Sequence, residues 1–304
     1  MRIFLKIALG FSFLFSSFAF INSANALDIV FAEDRPDLRT LDPRITQSRH
    51  EEMLIVNMFD QLISADSSGN IYPGLATSWD ISSDGLEYTF SLRDDVTFHD
   101  GTKFDAAAVK ATFDSIVDPE TGSQGAVDIL GPYKETIVVD DFTAKVVFER
   151  RYGSAITAFT ETELSIVSPT ALDKLGNEGF GMAPVGTGPF MFKNWEANKK
   201  VELVRNPDYN WAPEYMDGSG PSQVENLTYR LIKDTSTRVA ALEAGEIDIA
   251  ELVPPLDMRR FDSSGDLSTV TGTVSGLPYS AFLNTTTGVF QDVNVRKAFF
   301  HSLD

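Results

Sequence analysis

The chain has 304 residues, too many for a single core of ordinary size, so at least two lobes are expected. Its 44 acidic residues against 25 basic ones leave a formal charge of −19, which denies nucleic acid or an anionic membrane the basic footprint they require. Cysteine is absent, which excludes disulfide staples, thiol catalysis and cysteine-held metals or clusters.

Arg2 and Lys6 open the chain with positive charge, and residues 7–21 form an apolar run of 15 residues. That is short of the ~20 needed to span a bilayer. Ala24-Asn25-Ala26 supplies a small-x-small ending, so the start predicts a secretory signal cleaved after Ala26. No cysteine follows the cleavage point, which excludes a lipoprotein anchor; a free periplasmic protein is expected.

The mature sequence begins with LDIVFAE, an apolar-rich strand, then a polar loop and Leu41-Asp42-Pro43. From Glu51 to Ile63, the residues Met53, Leu54, Val56, Met58 and Leu62 fit the buried face of a helix. Next comes strict alternation: Leu86, Tyr88, Phe90 and Leu92 share one face, and Glu87, Thr89, Ser91 and Arg93 the other. With Asp84-Gly85 before it, this predicts a hairpin whose first strand holds Trp79-Asp80-Ile81. Asp105 should cap a helix carrying Val109, Phe113 and Ile116 on its inner stripe. Residues 137–139 and 145–148 flank Asp140-Asp141 as a second hairpin, and Ser168-Pro169 starts a helix that Gly176 should close. Residues 73–183 thus form a self-contained α+β lobe.

Gly186, Gly188 and Pro189 break the chain. Strands are then expected in FMFKNW, KVELVRN and VENLTYRLI, a helix capped by Asp234 and ended by Gly245, and a short strand in EIDIAEL. Strand, helix and strand in succession indicate an α/β sheet. Strands are further expected at 267–274 and 279–284, and then a helix capped by Asp292 that reaches Asp304 in mid-pattern.

His50, His99 and His301 are far apart in sequence, so spacing indicates no metal site. There is no G-x-S-x-G elbow, and in Gly186-Thr187-Gly188 the following proline and strand-like FMFKNW favour a turn over a nucleotide loop. Adjacent acids such as Glu51-Glu52, Asp94-Asp95 and Asp140-Asp141 belong by default to a solvated surface. Trp79, Trp195 and Trp211 are expected to pack rather than stack on a ligand. Nothing calls for a cofactor, and no enzyme is expected.

Several strings have a collective meaning that their residues lack singly. Leu75-Ala76, Ser78-Trp79, Asp84-Gly85, Tyr88-Thr89-Phe90, Leu92-Arg93 and Phe98-His99-Asp100-Gly101 come first. Pro184 to Phe190, Val204 to Tyr209, Thr237-Arg238 through Asp248, and Val295 to Ala298 follow in order. Together they resemble the signature of the peptide/nickel-type, family 5 extracytoplasmic solute-binding proteins, the receptors that feed ABC importers.

The resemblance implies a two-lobed α/β fold with a smaller α+β lobe inserted in the first. Residues 27–58 and 184–267 would be most of lobe I, 59–183 the insert, and 268–304 the start of lobe II. About 200 residues, a domain's worth, would then follow, making the chain an N-terminal fragment. It also implies a monomer that captures a small solute, with di- or oligopeptides first, and delivers it to permease subunits. Nickel chelates, glutathione-like thiols, opines and oligosaccharides are the other solutes of the family. The segment after Leu41-Asp42-Pro43 would line the ligand site, giving Thr46, Gln47, Arg49 and His50 as candidates, with Tyr279 facing them from lobe II. Arg49 would pair with a ligand carboxylate. A secreted hydrolase with a carboxylate pair at strand ends is the rival from another class, and a chaperone or sensory receptor on the same scaffold is a third.

Overall fold

The computed structural model describes residues 27–34, 38–216, 218–265, 267–272 and 281–302. The expected signal peptide and Tyr279 lie outside the described residues. Residues up to Val253 make one compact unit, and residues from Pro254 onward make another.

Strand β1 (Leu27–Glu33) forms as its sequence predicts. Helix α1 (Arg49–Ile55) is shorter than the expected run to Ile63. The carbonyls of Asn57 and Met58 accept instead from Phe190 N and Gly188 N, at 2.9 and 3.0 Å, so the chain leaves the helix to bond with a distant strand entry. Met58 and Leu62 remain buried, but in a turn. Strands β2 (Ile63–Ala65) and β3 (Ile71–Pro73) pair as a small ribbon.

The insert follows the alternation closely. Strands β4 (Ala76–Ile81) and β5 (Glu87–Leu92) form the predicted hairpin, with Gly85 at φ 71° in its turn. Helix α2 (Ala106–Val117) is capped by Asp105, whose carboxylate accepts from Ala108 N at 2.9 Å. A short helix α3 (Gly125–Leu130) leads into β6 (Tyr133–Asp140) and β7 (Thr143–Phe148), which complete an antiparallel sheet of order β4-β5-β7-β6. Phe113 of α2 stacks on Phe159, just beyond helix α4 (Ala155–Ala158), with ring centres 5.8 Å apart. Phe90 meets the same ring edge-on at 5.1 Å. The next helix, α5 (Pro169–Met182), does not stop at Gly176 as expected: that glycine takes φ 65° and ψ 174°, kinking the helix, and a second turn continues beyond it.

The chain then returns to the first sheet through β8 (Phe190–Glu196), β9 (Lys200–Arg205) and β10 (Val224–Leu231). Helix α6 (Thr235–Glu243) crosses over to β11 (Ile249–Ala250). The sheet order is β11-β1-β10-β9-β8; β1 is parallel to both β10 and β11, while β9 is antiparallel to its neighbours. A mixed α/β sheet is thus joined to an antiparallel α+β lobe.

In the second unit, helix α7 (Pro255–Ser264) groups with the later residues rather than with the first sheet. Helix α8 (Val293–His301) starts at Asp292 as predicted. The described residues 267–272 and 281–284 are not strands, in contrast to expectation; a strand exists through pairing, and no described strand pairs with them. Among the described residues no helix is long and apolar enough to cross a membrane.

Candidate functional site

The carboxyl ends of β10, β1 and β11 form one edge, and the β10–α6–β11 connection passes over β1 to reach it. Ligands of open α/β sheets bind at such strand ends, where connections diverge. Glu33 closes β1 with no exposed surface, and Glu251 follows β11. Arg238, 1% exposed, fixes this edge from within. Its guanidinium donates to Ile232 O at 2.6 Å, Glu251 O at 2.8 Å and Leu252 O at 3.4 Å. Those bonds hold Leu252 at φ 52°, a left-handed conformation costly for a bulky residue and most often kept where a site needs it.

The segment leading into α1, whose His50 reaches this edge, is anchored by buried charge. Asp42 and Arg44 form an ion pair at 2.6 Å with both side chains buried, and Arg44 also donates to Ser115 Oγ and Asn177 Oδ1. Such a pair stands because its hydrogen bonds are satisfied on all sides. Glu51, also buried, accepts from Arg39 N at 2.8 Å and from Thr46 Oγ1 at 2.7 Å. Two carboxylates, each held from several directions, thus shape the backbone that leads into α1.

The candidate residues separate on this frame. Thr46 is fully buried and spends its hydroxyl on Glu51, so it positions the segment. Gln47 is exposed and donates to Gln124 Oε1 at 2.7 Å. Arg49 is exposed at the start of α1, close enough for its charge to act on Glu52. His50 is half-buried, and folding brings it to Glu33 and Glu251, with one ligand atom from each within 4.8 Å of the others. Sequence spacing could not show this, because parallel pairing unites residues some 200 positions apart. Nearby, burial and the charge of Glu163 push the carboxyls of Glu52 and Glu161 upward.

The family-like strings serve elsewhere. His99 Nε2 donates to Gly188 O at 2.9 Å, its amide donates to Gly186 O at 2.9 Å, and its Nδ1 accepts from Gly186 N at 3.4 Å. Burial lowers the His99 pKa to about 4. Asn206 donates to Gly188 O at 3.1 Å. A Cβ on Gly188 would lie 2.5 Å from the carbonyl carbon of Met58, so this turn admits only glycine. Asp60 accepts from Thr187, Tyr209 and Trp211 beside a cavity of about 230 Å3 lined by aromatic side chains, and burial raises its pKa. The strings that hold His99, Gly188 and Asn206 therefore mark the joint between the two sheets. Trp211 packs there, as expected of a tryptophan.

Glu33 and Glu251 converge at the strand ends, with an oxygen of each carboxylate within 4.8 Å of the other, and Glu33 has no exposed surface.

An edge of this kind, on a sheet with an inserted α+β lobe, defines part of a two-lobed α/β binding protein. Residues 70–304 match the middle portion of the bacterial extracellular solute-binding proteins, family 5, and the chain belongs to that family. It is 31% identical over 229 residues to the glutathione-binding protein GsiB of Escherichia coli K12, covering 75% of this chain and 43% of that protein. Among solved structures it is similar to DppA from Helicobacter pylori, a periplasmic binding protein in complex with the peptide STSA. The TM-score is 0.67 at 26% identity, over 77% of this chain and 48% of that one. NikZ from Campylobacter jejuni, in complex with Ni(L-His), gives a TM-score of 0.74 at 25% identity, over 91% and 53%. The chain thus spans about half, or less, of the length of these relatives.

Proposed function

We propose that the whole protein is a periplasmic receptor that captures a short peptide between two lobes and passes it to the permease of an ABC importer. Family membership supports the receptor class. The single observation that carries the site is that His50 meets Glu33 and Glu251 at the strand-end edge, with Arg49 exposed beside it on an anchored backbone. Closure of a second lobe over that edge would gain affinity only when ligand touches both, which needs no catalytic group. Arg49 takes the peptide carboxylate, Gln47 and His50 flank it, and Tyr279 contacts the ligand from the other lobe. Peptide chemistry is favoured because two of the three relatives described are a glutathione-binding protein and a protein in complex with the peptide STSA, the third being in complex with Ni(L-His). By the same reading, residues 27–58 and 184–267 belong to lobe I, 59–183 to the insert and 268–304 to lobe II. The signal ends at Ala26, and the receptor works as a monomer.

The test is to incubate the whole protein with a defined peptide mixture, separate it by gel filtration and release the bound fraction for mass spectrometry. Intact peptide co-eluting with the protein is expected. Consumption of the mixture, with products in solution, would instead indicate the hydrolase.

A further inference from the structure

We propose that Glu33, His50 and Glu251 form a binding site for a divalent transition-metal ion of the zinc or nickel class. An imidazole nitrogen and two carboxylate oxygens lie within 4.8 Å of one another. Donors held about 2.0–2.2 Å from one ion at tetrahedral angles stand about 3.3–3.6 Å from each other, so side-chain movement of up to about an ångström closes the set.

Three separate elements supply these donors, and each backbone is fixed. Glu33 ends β1, and its carbonyl accepts from Ile232 N at 3.0 Å. Glu251 donates its amide to Ala32 O at 3.0 Å, and its own carbonyl is held by Arg238. His50 lies in the first turn of α1, whose approach is fixed by Thr46, Glu51 and the Asp42–Arg44 pair. A site with donors at the end of a strand and in the first turn of a helix, and a third just past β11 whose backbone is bonded on both sides, is preorganised.

The chemistry selects the ion. Carboxylates gathered in a volume this small favour a cation among them, and Glu251 Oε2 is buried without a hydrogen bond. An imidazole in the set turns preference from calcium and magnesium, which seek oxygen alone, to zinc, nickel or cobalt. With three protein donors the ion would keep at least one open coordination position. Glu33 is sealed inside, while His50 and Glu251 are partly exposed and leave a route from solvent.

The test uses the whole protein stripped of metal by EDTA and titrated with zinc or nickel chloride in a calorimeter, with magnesium chloride as control and no solute present. One equivalent of zinc or nickel should bind, and magnesium should not. His50→Ala and Glu251→Gln, at partly exposed positions that leave the core intact, should each weaken binding about tenfold or more. Circular dichroism of both variants should match the parent. Glu33→Gln is a less useful probe, since a buried change can unfold the edge. Absence of saturable uptake, or uptake that His50→Ala and Glu251→Gln leave unchanged, overturns the proposal. Because no peptide is present, this result stands apart from the receptor test.

Discussion

The insert and the stretch 254–302 carry comparable aromatic patterns, yet only one of them builds a core. In the insert, Phe90, Phe113, Phe148 and Phe159 are all at most 2% exposed and meet ring to ring. In the later stretch, Phe282 is 92% exposed and Phe300 58%, although Phe299 and Phe290 touch each other. Periodicity specifies which face of an element is apolar; a core also needs a second layer to receive it. Residues 59–183 hold both layers, a sheet and the helices on it. Residues 254–302 hold helices and no strand of their own among the described residues.

The largest effect that could break this contrast comes from truncating matched phenylalanines. In residues 27–304, Phe113→Ala should cost about 3–5 kcal/mol and Phe300→Ala less than about 0.5, by urea unfolding monitored through tryptophan fluorescence. Similar losses at the two sites would mean that both stretches are packed alike.

Acid should sharpen the contrast next. His99 is neutral in the native joint, with its pKa lowered by burial to about 4 against 6.5 for an ordinary histidine. Between those values the unfolded chain binds a proton that the folded chain refuses. Its contribution is therefore fully present above pH 6.5, falls as pH drops towards 4 and levels off below, a loss of up to about 3 kcal/mol. His99→Gln should flatten that part of the profile in thermal melts at stepped pH; an unchanged slope would show that His99 does not titrate as the geometry requires.

A smaller effect is expected at the glycines. Gly188→Ala drives a methyl against the Met58 backbone and should cost about 1–3 kcal/mol, whereas Gly272 has nothing within 4 Å and Gly272→Ala should be neutral. Equal melting temperatures for the two variants would remove the joint from the explanation.

How much was legible in sequence follows the same division. The β4–β5 hairpin, the Asp105, Asp234 and Asp292 caps and the α/β order could be read directly, because alternation and capping are local. Helix α1 was overextended because the partners that take the Asn57 and Met58 carbonyls lie some 130 residues away. Thr46 looked available for a ligand, and only the buried Glu51 shows where its hydroxyl goes. The convergence of His50 with Glu33 and Glu251 depends on β1 lying between β10 and β11, a register that no local pattern carries. Some of the strings that carry the resemblance, those holding His99, Gly188 and Asn206, pin the joint, while Glu33, His50 and Glu251 at the strand ends lie outside every string.

The most direct test of the central claim, that the strand-end edge is the first lobe's half of a peptide site, is peptide affinity by calorimetry in the whole protein. Arg49→Ala removes a charged hydrogen bond that lobe closure would desolvate, worth about 1.5–3 kcal/mol. Affinity should therefore fall about tenfold to a hundredfold. Arg93→Ala is the control, since Arg93 is committed to Asp95 on the outer face of the hairpin. A clear loss for Arg49→Ala with none for Arg93→Ala is predicted; equal affinity in the two variants would contradict the placement of the ligand at this edge.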